Sequence, residues 1–163
     1  MDTIDVRPAG PQDAEFVRGS LIEHFTSTDV AAHDELIDAT ALPALIAWAG
    51  DSPAGHLTYR AGPDSWEVVS LASSSPGRGA GTALLNAVRE EARRAGAARI
   101  WLVTTNDNTD ALRFYQRWGL DLVRIDRDAV TRSRRLKPGI PTHAGGIAIR
   151  HEIELEMVLA DPV

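Results

Sequence analysis

Cysteine is absent from the 163 residues. A chain without it has no disulfide framework, thiolate zinc site, iron–sulfur cluster or cysteine nucleophile. Lysine occurs once, at Lys137, and every other basic residue is arginine. Together with the many alanines, this reads as codon bias of a GC-rich genome rather than as a functional signal. No apolar run reaches the roughly 18 residues that a membrane-spanning helix needs, so no membrane partner is expected. Met1-Asp2-Thr3-Ile4-Asp5 offers neither a basic nor an apolar leader region. We therefore expect no signal peptide and a soluble, cytoplasmic protein. The net charge of −6 and pI of 5.3 argue against a general nucleic-acid binder. Nor is any repeat or low-complexity linker evident.

What is present fits one compact domain over 1–163, long enough to bury roughly 70% of its unfolded surface. Hydrophobic residues make up 44% and charged residues 25%, which rules out wholesale disorder. Ile4 and Val6 before Arg7-Pro8 suggest a short strand. Gly10-Pro11 then opens a helix to about Glu23, while residues 26–40 are ambiguous. Ala44 to Ala49, the turn Gly50–Pro53 and Gly55 to Arg60 read as a hairpin. A third strand, Trp66 to Ala72, follows the turn at Gly62-Pro63-Asp64. A glycine-rich turn leads into a helix carrying Leu84, Leu85, Val88 and Ala92 on one face, ended by Gly96. Ile100 to Thr104 is a strand and Thr109 to Trp118 a helix. Leu120 to Ile125 and Glu152 to Met157 are strands, the latter alternating as a half-buried strand does. Residues 129–149 read as irregular. The order predicts a mixed α/β domain. Residues 66–104 form a right-handed crossover between parallel strands, and hairpins make the rest of the sheet antiparallel.

Two segments carry chemistry. In Gly77-Arg78-Gly79-Ala80-Gly81-Thr82 the glycines permit a tight turn and close approach of a ligand to the backbone. The first N–H groups of the following helix have no intrahelical partner and can hold phosphate oxygens. A tight turn without ligand is the alternative. A nucleoside-triphosphate loop is disfavoured because no lysine follows the glycines. A dinucleotide fingerprint is disfavoured because Thr82 stands at its third glycine and strands precede the unit. In the second segment Asn108, Ala111, Leu112 and Tyr115 form one helical stripe. Tyr115 lies roughly 10 Å along the axis from Asn108. An N-cap Asn and a core Tyr are the simpler account of that stripe.

Together the two segments resemble the GNAT superfamily of acetyl-CoA-dependent N-acetyltransferases. Residues 105–120 resemble its Asn-x-x-Ala-x-x-Phe-Tyr-x-x-x-Gly-Phe segment, and residues 77–85 its pyrophosphate loop and helix. The resemblance is specific over about 53–125. Pro76 departs from the usual Gln or Arg of that loop, the stretch between Leu71 and Gly77 is short, and Leu120 replaces the common Phe. The resemblance implies a mostly antiparallel sheet of about seven strands with flanking helices and a splay between the central parallel strands. Acetyl-CoA would lie in that splay. Leu71, Ala72 and Ser73 would pair with its pantetheine arm. Arg78, Gly79, Ala80, Gly81 and Thr82 would hold its pyrophosphate. Asn108 would hydrogen-bond it, Ala111 would pack beside it and Tyr115 would reach its sulfur.

Acetyl transfer to an amine needs a proton acceptor, an oxyanion donor and a proton for the departing thiolate. Tyr115 is placed for the last, and a backbone N–H around Leu71 to Ser73 for the second. Glu67 lies four residues before Leu71, on the same strand face by the period of two, where the resemblance implies the general-base Glu that some members of the family carry. Its flanks, Trp66 and Val68, would desolvate it. An exposed or Arg-paired Glu, with ordered water as base, is the alternative.

The five histidines show no metal spacing, so no metal is expected. His56 reads as an ordinary packed or exposed residue. Ser73–Ser75 lack a nucleophile elbow. Glu152, Glu154 and Glu156 read as a solvated strand face, with attraction of a cationic amine as the sharper reading. Arg132, Arg134, Arg135 and Lys137 read as a surface patch, with an acidic substrate group or the cofactor's ribose phosphate as alternatives. The expected activity is direct transfer from acetyl-CoA to a primary amine, whether a small molecule or a peptide, with homodimerisation through a strand edge open. An acyl-CoA sensor without turnover and a dinucleotide redox domain are the other readings.

Overall fold

The computed structural model describes residues 3–74 and 77–159. The elements are β1 (Ile4–Pro8), α1 (Ala14–Phe25), β2 (Asp29–Ala32), β3 (Glu35–Asp38), β4 (Ala44–Ala49), β5 (Ser52–Ala61) and β6 (Ser65–Ser73). They continue as α2 (Ala80–Arg94), β7 (Arg99–Thr105), α3 (Thr109–Trp118), β8 (Asp121–Asp126) and α4 (Ala129–Ser133). The chain then runs through β9 (His143–Ala144), β10 (Ile147–Ala148) and β11 (Glu152–Val158).

Seven strands form one sheet in the order β1-β4-β5-β6-β7-β11-β8. All neighbours in it are antiparallel except β6 and β7. This is the mixed α/β class that the sequence predicts. The crossover through α2 accounts for the parallel pair, since strands joined by a helix return in the same direction.

That pair is short. Its register covers Ser65 against Arg99, Trp66 against Ile100 and Glu67 against Trp101, and ends there. Beyond Glu67, β6 continues to pair with β5 on its other side up to Ser73. In an extended strand, alternate residues direct their N–H and C=O to opposite edges. Half of the polar backbone groups from Val68 to Ser73 therefore face the opening between β6 and β7.

Each face of the sheet has its own core. On one, Leu84, Leu85, Val88 and Ala92 of α2 are fully buried against Leu57, Trp66, Val68, Ile100, Leu102 and Leu155, with Phe114 and Tyr115 of α3 alongside. The helical spacing that marked α2 in the sequence is this contact, and truncating either leucine to alanine would cost about 2–5 kcal/mol. On the other face Val17 and Leu21 of α1 pack with Val30, Ala32, Ile37 and Ile46, and with Val69 and Val103 at the rim.

Three readings need correction. Residues 26–40 form the β2–β3 hairpin, whose turn residues His33 and Asp34 both have positive φ (39° and 65°). The 129–149 stretch is not wholly irregular: it holds α4 and the small β9–β10 hairpin. The third concerns the strand period. The β5–β6 register shifts between Thr58 and Tyr59, which pair with Ser70 and Val68, so Val69 is an extra residue in β6. A bulge of this kind breaks the alternation. Leu71 packs on the α2 face while Val69 packs on the α1 face. Glu67, lining a cavity with α1 and hairpin residues, is thus on the face opposite Leu71. The expectation that the two share a face fails for this reason.

Candidate active site

A cleft of about 630 Å³ opens where β6 and β7 diverge. It is lined by Leu71, Ala72 and Ser73 of β6, Gly77, Gly79, Ala80, Gly81 and Thr82 of the turn into α2, and Asn108, Ala111, Phe114 and Tyr115 of α3. Every cofactor residue expected from the sequence lines it except Arg78, which is exposed beside it. Ser75 and Pro76 lie outside the described residues.

The turn into α2 needs its glycines. Gly77 and Gly79 adopt φ of 86° and 85°, a region that costs an L-residue roughly 1–2 kcal/mol. At Gly81 a β-carbon would stand 3.1 Å from the Phe114 ring. The first α2 bond runs from Ala83 N–H to the Gly79 carbonyl, 3.0 Å. The N–H groups of Ala80, Gly81 and Thr82 therefore have no partner within the helix and form the positive end of its dipole. Such an end suits an anionic group.

Across the cleft, Asn108 precedes α3 but does not cap it through its side chain. Its Nδ2 donates to Thr104 Oγ1 at 3.3 Å. The simple N-cap reading therefore does not hold. Tyr115 is half-buried, and burial pushes its phenol up to about 12, so it stays protonated at neutral pH and can donate.

A second cavity of about 360 Å³ lies on the α1 face. Apolar side chains of Phe25, Val30, Val69, Val103, Ile140 and Ile149 form much of its wall. Its ionisable lining comprises His24, Glu67, Lys137 and Glu152. His24 and Asn108 line both cavities, so the two spaces meet there. His24 Nδ1 donates to the Ser20 carbonyl, an acceptor only, at 2.9 Å, which leaves Nε2 facing away from this bond.

Glu67 is 4% exposed and fully engaged. Its Oε1 accepts from Arg60 Nε and Nη2 at 3.0 and 2.7 Å. Its Oε2 lies 2.7 Å from His33 Nε2. That hydrogen bond is the main cause of a raised His33 pKa, against the opposing effect of burial. Arg60 also clamps Glu35 of β3. The Arg-paired alternative for Glu67 is what the structure contains.

Glu152 is equally buried and differently held. Both its oxygens accept from one donor, the His33 backbone N–H, at 3.0 Å each. Burial raises its pKa above the usual carboxylate range. Its neighbours on the same face of β11 behave otherwise: Glu154 and Glu156 both face Arg99. The row read as one solvated face thus splits into two paired residues and one buried. The basic cluster also splits. Arg132 pairs with Asp34 and Asp126, Arg134 donates to three carbonyls, and Lys137 reaches the Phe25 and Asp29 carbonyls at 2.7 Å each.

His56 is an ordinary packed residue. It is fully buried between Ser20 and Ser70, and burial brings its pKa down to about 4. Among the described residues, no cluster of three metal-ligating side chains occurs and no helix is long and apolar enough to cross a membrane.

The family model of the acetyltransferase (GNAT) family matches residues 14–120. The chain belongs to this family. Two curated relatives, both uncharacterised proteins of Bacillus subtilis strain 168, are similar in sequence. YdhI is 44% identical over 106 residues, covering 64% of this chain and 66% of its own. YxbD is 43% identical over 102 residues, covering 62% and 64%. The matched stretch thus spans just under two thirds of each relative. Among solved structures, a GNAT family acetyltransferase from Elizabethkingia anophelis with acetyl-CoA bound superposes with a TM-score of 0.70 at 19% identity, over 98% of this chain and all of that one. The ribosomal-protein-S18-alanine N-acetyltransferase of Escherichia coli gives 0.71 at 14% identity, over 99% and 97%. At such identities these neighbours support the fold.

Proposed function

We propose that the protein transfers an acetyl group from acetyl-CoA directly to a primary amine. The observation that carries this reading is the junction at His24 and Asn108. There a cleft with an open strand edge and unpartnered helix N–H groups meets a smaller cavity walled by buried carboxylates. The Elizabethkingia neighbour, described with acetyl-CoA bound, supports the choice of donor.

Bound acetyl-CoA would supply an acyl group already activated as a thioester. The N–H groups of Ala80, Gly81 and Thr82, with Arg78 beside them, would hold its pyrophosphate. The open edge of β6 over Leu71, Ala72 and Ser73 would accept the pantetheine arm as an added strand. Asn108 would orient it, and Ala111 leaves it room. A β6 N–H facing the opening would stabilise the oxyanion. Tyr115, kept protonated by burial, would donate to the departing thiolate. With no cysteine in the chain, no thiol is available to carry the acyl group.

For the amine's proton, two buried carboxylates compete. A proton on Glu67 would have to displace Arg60 or His33. Glu152 has no cation to displace and accepts only one shared N–H. We therefore assign proton acceptance to Glu152, directly or through water, and to Glu67 the task of holding His33 over it. The test is thiol release from acetyl-CoA across a panel of amines, with mass-spectrometric detection of acetylated product. Acetyl-CoA binding without product from any amine would leave an acyl-CoA-binding domain instead.

A further inference from the structure

Two ionisable groups of opposite sign in the acceptor cavity make no salt bridge among the described residues. Glu152 is held by one backbone N–H shared between its oxygens. Lys137 Nζ is held by two carbonyls, which solvate an ammonium without neutralising it. The other charges around this cavity are matched: Glu67 by Arg60, Arg132 by Asp34 and Asp126. A charge withdrawn from water is costly; Glu152 is buried and Lys137 half-buried, and desolvation shifts both toward their neutral forms. One ligand bearing both signs would relieve both costs together.

Strand β2 sets the spacing. Lys137 is anchored at the carbonyl of Asp29 and Glu152 at the N–H of His33. Three residues of extended chain, Val30 to Ala32, separate these points, roughly 10 Å. Hydrogen bonds of about 3 Å at each end leave more room than the two ionic groups on one α-carbon can bridge. Between the anchors the wall is apolar: Val30, Val69, Val103 and Ile149.

We propose that the acceptor is an amino acid with its amino and carboxylate groups at opposite ends of a short carbon chain. The amino group meets Glu152, and the carboxylate meets the remaining N–H of Lys137. This rests on the acetyltransfer reading and narrows its substrate. An uncharged-tail amine would leave Lys137 unmatched, and a polycationic amine would oppose it.

Three compounds with the same five-carbon chain test it: 5-aminopentanoate, pentylamine and norvaline. Each is titrated calorimetrically into the protein saturated with CoA, and its turnover is measured with acetyl-CoA. The expected result is that 5-aminopentanoate binds about tenfold or more tighter than either of the others, the size of one charge-assisted hydrogen bond. Lys137→Met should bring its affinity down to that of pentylamine. Lys137→Gln, which retains N–H donors for the two carbonyls, should do the same if the methionine variant is unstable. Pentylamine binding as well as 5-aminopentanoate would overturn the proposal, as would a Lys137→Gln variant with unchanged selectivity. Norvaline binding tightest would overturn the spacing. Tight binding of 5-aminopentanoate without turnover would instead overturn the acetyltransfer reading.

Discussion

The backbone N–H of His33 lies 3.0 Å from both carboxylate oxygens of Glu152. A turn residue of the β2–β3 hairpin thus fixes a glutamate on β11, 119 positions away in sequence. The same histidine reaches Glu67 with its ring and packs tilted against Trp101, with ring centroids 5.5 Å apart. The hairpin is therefore part of the wall of the α1-face cavity and the support of its carboxylates.

Glu152→Gln and Glu67→Gln should separate the two acids. Glu152→Gln removes the proposed proton acceptor and should lower kcat by about 100-fold or more, the usual worth of a general base. Glu67→Gln should cost less at the chemical step and should loosen His33. Equal losses, with identical pH–rate profiles, would return the base assignment to Glu67.

Tyr115→Phe should lower kcat by about 10–100-fold while leaving acetyl-CoA affinity within about twofold. The phenol's pKa of about 12 means that its loss of proton should not limit the rate below pH 10. A large rise in acetyl-CoA Kd would show that the ring packs against the cofactor instead of serving its sulfur.

His33 and His56 should give stability opposite pH dependences. The folded pKa of His33 is raised, so the stabilisation from its bond to Glu67 is fully present below about 6.5 and lost as pH rises through the raised value. The Tm gap between wild type and His33→Asn should therefore be largest near pH 6 and shrink toward pH 8.5. His56 is depressed to about 4, so wild type loses stability as pH falls from about 6.5 to 4, by about 3 kcal/mol in all. His56→Gln should flatten that acid limb in a urea-unfolding series across pH.

Gly79→Ala should strain the turn into α2, since Gly79 sits at φ 85°. A loss of roughly 1–2 kcal/mol is expected, with a Tm lower by several degrees and weaker acetyl-CoA binding. Gly139→Ala, whose β-carbon would meet open space, serves as the control.

The parts of this molecule legible in the sequence are those where local pattern and tertiary role coincide. Leu84, Leu85, Val88 and Ala92 announced α2, and the Asn108–Tyr115 stripe announced the cleft wall, because helical spacing puts each set on one face. The β2–β3 hairpin was not legible. Its strands have four residues each, and His33 and Asp34 give no glycine signal at positive φ. The bulge at Val69 hides inside the run Trp66-Glu67-Val68-Val69-Ser70, and it alone moves Glu67 to the other face. Glu152 looked like Glu154 and Glu156 because alternation records a face but not what covers it. Only the folded hairpin distinguishes it.

A crystal structure with acetyl-CoA tests the central claim most directly. The account predicts the pyrophosphate on the N–H groups of Ala80 to Thr82, the pantetheine along Leu71 to Ser73, and the thioester sulfur within hydrogen-bond reach of the Tyr115 hydroxyl. A nucleotide bound elsewhere, or a cleft between β6 and β7 that stays empty at saturating acetyl-CoA, would contradict it.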